Sequence, residues 1–89
     1  MIEQEVAISN KLGLHARASA KLVQLLQAYK CNAWLVHRGR EINAKSIMGV
    51  MMLAAGFGQT VILRCDGVDE ADALAAMADL FERKFDEGA

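Results

Sequence analysis

From Ile2 to Ile8 the apolar residues Ile2, Val6 and Ile8 fall on one side and Glu3, Glu5 and Ala7 on the other, the period of a strand with one wet face. Asn10 and Gly13 break that alternation between Ser9 and His15. Ala18, Leu22, Leu25, Leu26 and Tyr29 then recur at helical spacing, which predicts a helix from about Ala16 to Tyr29. Ala33, Leu35 and His37 alternate with Trp34 and Val36, Gly39 supplies a turn, and Arg40 to Ala44 returns as a partner strand, a short hairpin. Ser46 has the residue type and position of an N-cap on a brief helix carrying Ile47, Met48, Val50, Met51 and Leu53, ended by Gly56-Phe57-Gly58. Thr60 to Cys65 alternates again, Asp66-Gly67 marks a turn, and Asp69 opens a last helix with a stripe of Leu74, Met77, Ala78, Phe81 and Phe85. Residues Asp86 to Ala89 are expected to fray. The order is strand, helix, strand, strand, helix, strand, helix, with the helices on the apolar side of the strands, and the fold class is α+β.

Eighty-nine residues make one domain, near the size at which a core buries about 60 to 65% of the unfolded surface. With 54% hydrophobic residues and ten Lys and Arg against eleven Asp and Glu, the chain has a core to build and a net charge of -1, which argues against disorder. The absence of Pro fits few irregular loops. A pI near 6.1 without a basic run argues against binding nucleic acid through its phosphates. No segment approaches the roughly 18 uninterrupted apolar residues of a membrane span, and the start lacks a basic region followed by an apolar run, so no membrane association and a cytoplasmic location are expected. Cys31 and Cys65 lack the close paired spacing of a zinc or redox motif and read as reduced, buried apolar residues, with no metal site implied.

The stretch with chemistry in it is Asn10-Lys11-Leu12-Gly13-Leu14-His15-Ala16-Arg17-Ala18-Ser19-Ala20, which sets a histidine where a loop becomes the first turn of a helix. The first amides of a helix have no internal partners and the helix dipole is positive there, so an anion held at His15 meets ready donors. Arg17 adds a fork of donors that matches phosphate, and a neutral imidazole has a ring-nitrogen lone pair with which to attack a phosphoryl group. Spacing alone favours the plainer reading of a loop histidine and a solvated arginine.

A longer comparison changes that balance. The stretch Gly13 to Ala20, preceded by Asn10-Lys11-Leu12, resembles the histidine signature of the HPr family, the phosphocarriers of the bacterial phosphoenolpyruvate-dependent sugar phosphotransferase system. Asn43-Ala44-Lys45-Ser46-Ile47-Met48-Gly49-Val50-Met51-Met52-Leu53 resembles that family's serine signature, in register, so the resemblance spans essentially the whole chain. It implies an open-faced β-sandwich, a four-stranded antiparallel sheet with three helices on one face. It also implies that enzyme I passes a phosphoryl group to His15, that Arg17 stabilises its charge, and that the group goes on to an enzyme IIA domain. Such a protein is a carrier with a phosphohistidine intermediate rather than a stand-alone enzyme, and neither step needs a cofactor. Ala18 stands where many members carry Pro, which would suit a first helical turn; His15 and Arg17 are kept. Gln24 and Gln27 replace lysines common in the family, removing charge that could steer acidic partners.

Ser46 is by itself a good N-cap. The resemblance adds that it is a regulatory phosphorylation site for HPr kinase/phosphorylase, with Lys45-Ser46-Ile47-Met48-Gly49 closer to the kinase-regulated members; phosphate there is expected to weaken acceptance from enzyme I without refolding. Val50, Met51 and Leu53 are expected to pack inward. Ile47 and Met48 are expected to form an exposed patch beside His15, and the expected partner interface comprises Leu14, Ala16, Ala20, Gln24, Ile47, Met48 and Met51. His37 reads as a solvated strand-end residue and Trp34 as a cross-strand packing residue of the open sheet face. The expected oligomeric state is a monomer. Two other functions remain: a nitrogen-branch carrier with the same histidine chemistry and a regulatory output, and a non-catalytic regulatory binding module in which His15 is dispensable. A metal chaperone fits the cysteine spacing less well.

Overall fold

The first alternating stretch forms strand β1 (Ile2–Ala7) in a computed structural model that describes residues 1–87. It is followed by helix α1 (Ala16–Leu26), strands β2 (Asn32–His37) and β3 (Arg40–Asn43), helix α2 (Ile47–Met52), strand β4 (Thr60–Asp66), helix α3 (Glu70–Glu82) and a 3-10 turn, Lys84–Asp86. The order is the one the periodicity predicts. The strands pair antiparallel in the order β1-β4-β2-β3.

Register decides the two faces. Leu35 stands opposite Leu63 and Ile42, Ala33 opposite Cys65, and Val6 opposite Val61, so these side chains line the inner face. Leu22 and Leu26 of α1, Val50 of α2, and Met77 and Phe81 of α3 are buried in one apolar cluster with them. On the outer face Trp34, Val36 and Ile62 are half-buried, and Arg64 bridges Glu3 of β1 and Glu41 of β3 across the sheet. Arg38 and Gly39, both at positive φ, make the tight β2–β3 turn whose twist matches the strands.

Several expectations give way. Helix α1 stops at Leu26, three residues early, because Ala28 and Tyr29 bond to carbonyls three residues back and the chain tightens out of the α-helix. His37 is 7% exposed rather than solvated: it lies on the inner face and its Nδ1 is 3.0 Å from the Thr60 carbonyl oxygen. Phe85 lies beyond α3, although it is buried as the stripe implied.

The expected fraying is also overturned for Asp86 and Glu87; Gly88 and Ala89 lie outside the described residues. Lys84, Phe85 and Asp86 all have positive φ (56°, 54° and 61°), a conformation that costs an L-residue about 1–2 kcal/mol. Offsetting this, Phe85 is fully buried with its ring edge-on to Phe81 at 4.8 Å, and its carbonyl accepts from Lys21 Nζ at 2.9 Å. Arg83 donates to both Asp86 oxygens at 2.7 and 2.8 Å, which holds the Asp86 carboxyl below its ordinary range.

Candidate functional site at the start of the first helix

The loop before α1 is shaped by Gly13. Its φ of +65° suits glycine, and a Cβ there would lie 2.8 Å from the Ala55 carbonyl oxygen and from Gly56 Cα. Gly13 N–H donates to Asn10 O at 3.1 Å and Leu14 N–H to Ala55 O at 3.1 Å, tying the loop to the segment after α2. Leu14, 5% exposed, anchors the loop in the core. That removes it from the expected partner interface: the loop must bury one side chain to be held, and Leu14 is that side chain.

His15 occupies the N-cap position with extended backbone (φ −76°, ψ 179°), and its side chain makes no capping bond. The first helical bond runs from Ser19 N–H to His15 O at 2.9 Å, so the amides of Ala16, Arg17 and Ala18 precede the ladder. The imidazole is 27% exposed, with Nε2 2.6 Å from Glu87 Oε2. Buried Asn10 donates from Nδ2 to Gly13 O at 2.8 Å and to both Glu87 oxygens at 3.2 and 3.3 Å. Partial burial pushes the Glu87 carboxyl up, but the hydrogen bonds from His15 and Asn10 and the charge of Arg17 outweigh it, so the net shift is downward and the group is a carboxylate at neutral pH. Lys11, Leu12, His15, Arg17, Asp86 and Glu87 line one concavity. Arg17 is exposed and lines that concavity with His15.

Of the other expected interface residues, Ala16 and Gln24 are exposed and Ala20 is half-buried. Ile47, Met48 and Met51 are 42%, 71% and 43% exposed. Met51 does not pack inward, because a six-residue helix buries one narrow stripe and Val50 fills it. Leu12, Met52 and Phe57 are exposed apolar residues that sequence reasoning did not single out for this surface. Leu12 and Phe57 sit in loops outside every periodic stripe, which was the available signal.

Ser46 caps α2, its Oγ accepting from Gly49 N–H at 3.1 Å, and Lys45 Nζ donates to Tyr29 O at 2.7 Å. Cys31 and Cys65 are buried, reduced thiols, and burial pushes Cys65 up to about 12. Among the described residues no group of three or more His, Cys, Asp or Glu is placed to hold a metal ion. Glu87 is the site residue the sequence left out: it lies 72 positions from His15, and the one hint was that an apolar Phe85 would hold the chain down two residues before it.

An open-faced α+β sandwich that presents, at one helix start, an N-cap histidine whose side chain makes no capping bond, an arginine, and amides that precede the helical ladder belongs to a class of small domains suited to carrying an anion on an imidazole. A family model described as "PTS HPr component phosphorylation site" matches residues 2–83. The phosphocarrier proteins HPr of Xylella fastidiosa (strain Temecula1) and Cupriavidus necator are 54% and 52% identical over 87 and 88 residues, covering 98% and 99% of both chains. The crystal structure of HPr-C-His from Thermoanaerobacter tengcongensis superposes with a TM-score of 0.94 at 42% identity, covering 98% of each chain. The chain belongs to the HPr family of the phosphotransferase system.

Proposed function

We propose that this protein accepts a phosphoryl group on His15 from phosphorylated enzyme I and passes it to enzyme IIA domains. The observation that carries this reading is the His15 imidazole, which stands at the N-cap position of α1 without spending itself on capping. A ring-nitrogen lone pair attacks phosphorus, the N–P bond forms as the bond to the donor breaks, and the donor leaves with that electron pair. The Arg17 guanidinium and the amides of the first turn meet the phosphoryl oxygens. In the second half-reaction His15 is the leaving group.

Ser46 is the regulatory phosphorylation site for HPr kinase/phosphorylase in this reading. It is half-buried at the head of α2, next to the exposed Ile47 and Met48. Its sequence context favours the sugar-uptake carrier over the nitrogen-branch one. Ala16, Ala20, Gln24, Ile47, Met48 and Met51 form the partner surface, and adaptable methionines suit transient docking to several partners. The protein works as a cytoplasmic monomer.

The test is phosphoryl transfer from phosphoenolpyruvate with enzyme I, comparing the native chain with His15→Ala. An acid-labile, base-stable gain of one phosphate in the native chain, absent in the variant, is the expected result. No gain in either folded protein would leave the regulatory binding module instead.

A further inference from the structure

A second concavity, of about 300 Å³, opens where the end of β2 meets the start of β4. It is lined by His37, Arg38, Gly58, Gln59 and Thr60 and shares no residue with the concavity at His15. Its size is at the lower end of the range for small-molecule sites. His37 is its one buried polar side chain, at 7% exposure. The Thr60 carbonyl oxygen can only accept, so Nδ1, 3.0 Å away, bears hydrogen and donates, and the lone pair of the neutral ring is on Nε2. Nε2 has no partner among the described residues. The fully enclosed side-chain atom without a partner is Asn10 Oδ1, so Nε2 is reached from outside, and the cavity is the space its ring lines.

The groups around that lone pair are donors. Gln59 Oε1 accepts from Gly56 N–H at 2.7 Å, which fixes the side chain and leaves its amide nitrogen with two hydrogens to give. Arg38 is exposed on the β2–β3 turn, and no carboxylate pairs with it among the described residues. Arg40 of β3 stands directly opposite His37 in the register. The segment from Gly58 to Thr60 carries no charge. The next carboxylate on β3, Glu41, stands opposite Val36 on the outer face and is tied to Arg64. The local field is therefore positive, which disfavours a metal ion and favours an anion. A plain anion meets Arg38 and Gln59 well but sets its charge against the Nε2 lone pair. An anion with one hydrogen of its own satisfies all three.

We propose that this cavity binds an oxyanion that keeps one proton, hydrogenphosphate being the simplest: its P–OH donates to His37 Nε2, and its other oxygens accept from the Gln59 amide and the Arg38 guanidinium. No bond is made or broken, and the site is separate from His15. The single proton shared between phosphate and ring gives the selectivity. A carboxylate or sulfate has no proton to offer a neutral imidazole, and a phosphate monoester loses its last one near pH 6, so these bind well only once the ring itself is protonated. Free phosphate keeps its proton through neutral pH and binds the neutral ring directly. The contacts with Arg38 and Gln59 are charge-assisted or amide hydrogen bonds of the kind that suit phosphate geometry.

The experiment titrates the full chain, labelled with nitrogen-15, with sodium phosphate at pH 8 and constant ionic strength. The backbone amides of Gly58 and Gln59, the Gln59 side-chain amide and the His37 ring nitrogens report on this cavity, and the amides of Ala16, Arg17 and Ala18 report separately on phosphate at the His15 loop. Saturable shifts of the first set are expected in the native chain. Gln59→Glu keeps the oxygen that accepts from Gly56 and puts a negative charge in place of the amide. Arg38→Asn removes the guanidinium and suits the positive φ of the turn, so it carries the test even where Gln59→Glu fails to fold. Each should weaken binding at this cavity by about tenfold or more and leave the shifts at Ala16 to Ala18 as in the native chain. Sulfate and glycerol 3-phosphate, neither of which holds a proton at pH 8, should bind about tenfold more weakly than phosphate and gain as pH falls through the ordinary histidine range. Shifts confined to Ala16, Arg17 and Ala18, native binding in either folded variant, or sulfate or glycerol 3-phosphate matching phosphate at pH 8 overturns the proposal.

Discussion

Replacing Gly13 by Ala asks two things of the loop that presents His15. The first is conformational: at φ +65° an alanine pays about 1 kcal/mol relative to glycine. The second is steric. A Cβ at 2.8 Å from the Ala55 oxygen and from Gly56 Cα meets backbone on both sides, so one strand of chain must move and the Leu14 N–H to Ala55 O bond at 3.1 Å is strained or lost. A buried backbone hydrogen bond is worth about 1 kcal/mol, and leaving its groups unpaired costs up to about 3 kcal/mol. The total for Gly13→Ala is therefore about 3 kcal/mol. Gly39→Ala is the internal control, because Gly39 has a similar φ of +79° and open space within 4 Å of its would-be Cβ. It should cost about 1 kcal/mol, the conformational part alone. Urea unfolding followed by circular dichroism separates the two: with a slope of about 1.5 kcal/mol/M, the midpoint falls by about 2 M for Gly13→Ala and about 0.7 M for Gly39→Ala. Under conditions where both remain folded, only Gly13→Ala should slow phosphoryl acceptance, since only that loop carries the histidine. Equal midpoint shifts for the two variants would refute the reasoning from close approach.

Three further outcomes are expected. Ser46→Ala removes the oxygen that accepts from Gly49 N–H and should lower stability by about 1 kcal/mol, read as a urea midpoint shift; no loss would mean the cap at 3.1 Å contributes nothing. Cys65, fully buried and pushed up to about 12 by burial, first of all, with Cys31 beside it, should resist a thiol-reactive disulfide at pH 8 and react only as the protein unfolds; labelling of the native fold within minutes would contradict that. The Asp69 carboxyl lies below its ordinary value because the amides of Lys30 and Cys31 donate to it, at 2.8 and 2.9 Å, and Glu87 is lowered as described above. Depressed carboxyls contribute stability in full above the ordinary carboxylate range and lose it as pH falls through their folded values, so stability should drop between about pH 5 and pH 2 and Asp69→Asn should flatten that limb.

The sequence alone determined the order of elements, because alternation and helical spacing are properties of neighbours along the chain, and a strand with one wet face or a helix with one buried stripe shows them before any packing. Ser46 was legible as a cap for the same reason: its partner, Gly49, is three residues away. So was the set of His15, Arg17 and the first-turn amides, which a single loop and helix bring together. The strand order β1-β4-β2-β3 emerges on packing, because it comes from pairing between distant segments. Only the tertiary structure decided that Leu14 anchors the loop in the core instead of meeting a partner, that His37 turns inward, and that Met51 turns outward, since burial depends on what lies across the gap. The largest difference is at Glu87. No local pattern favours three left-handed residues in a row, and the polar run after Phe85 reads as solvated; the turn exists because Phe85 fills a place in the core and Lys21, Arg83 and Asn10 take up the polar groups around it. Those compensations come from α1, the residue that follows α3 and the first loop, so the carboxylate beside His15 is a product of the assembled fold.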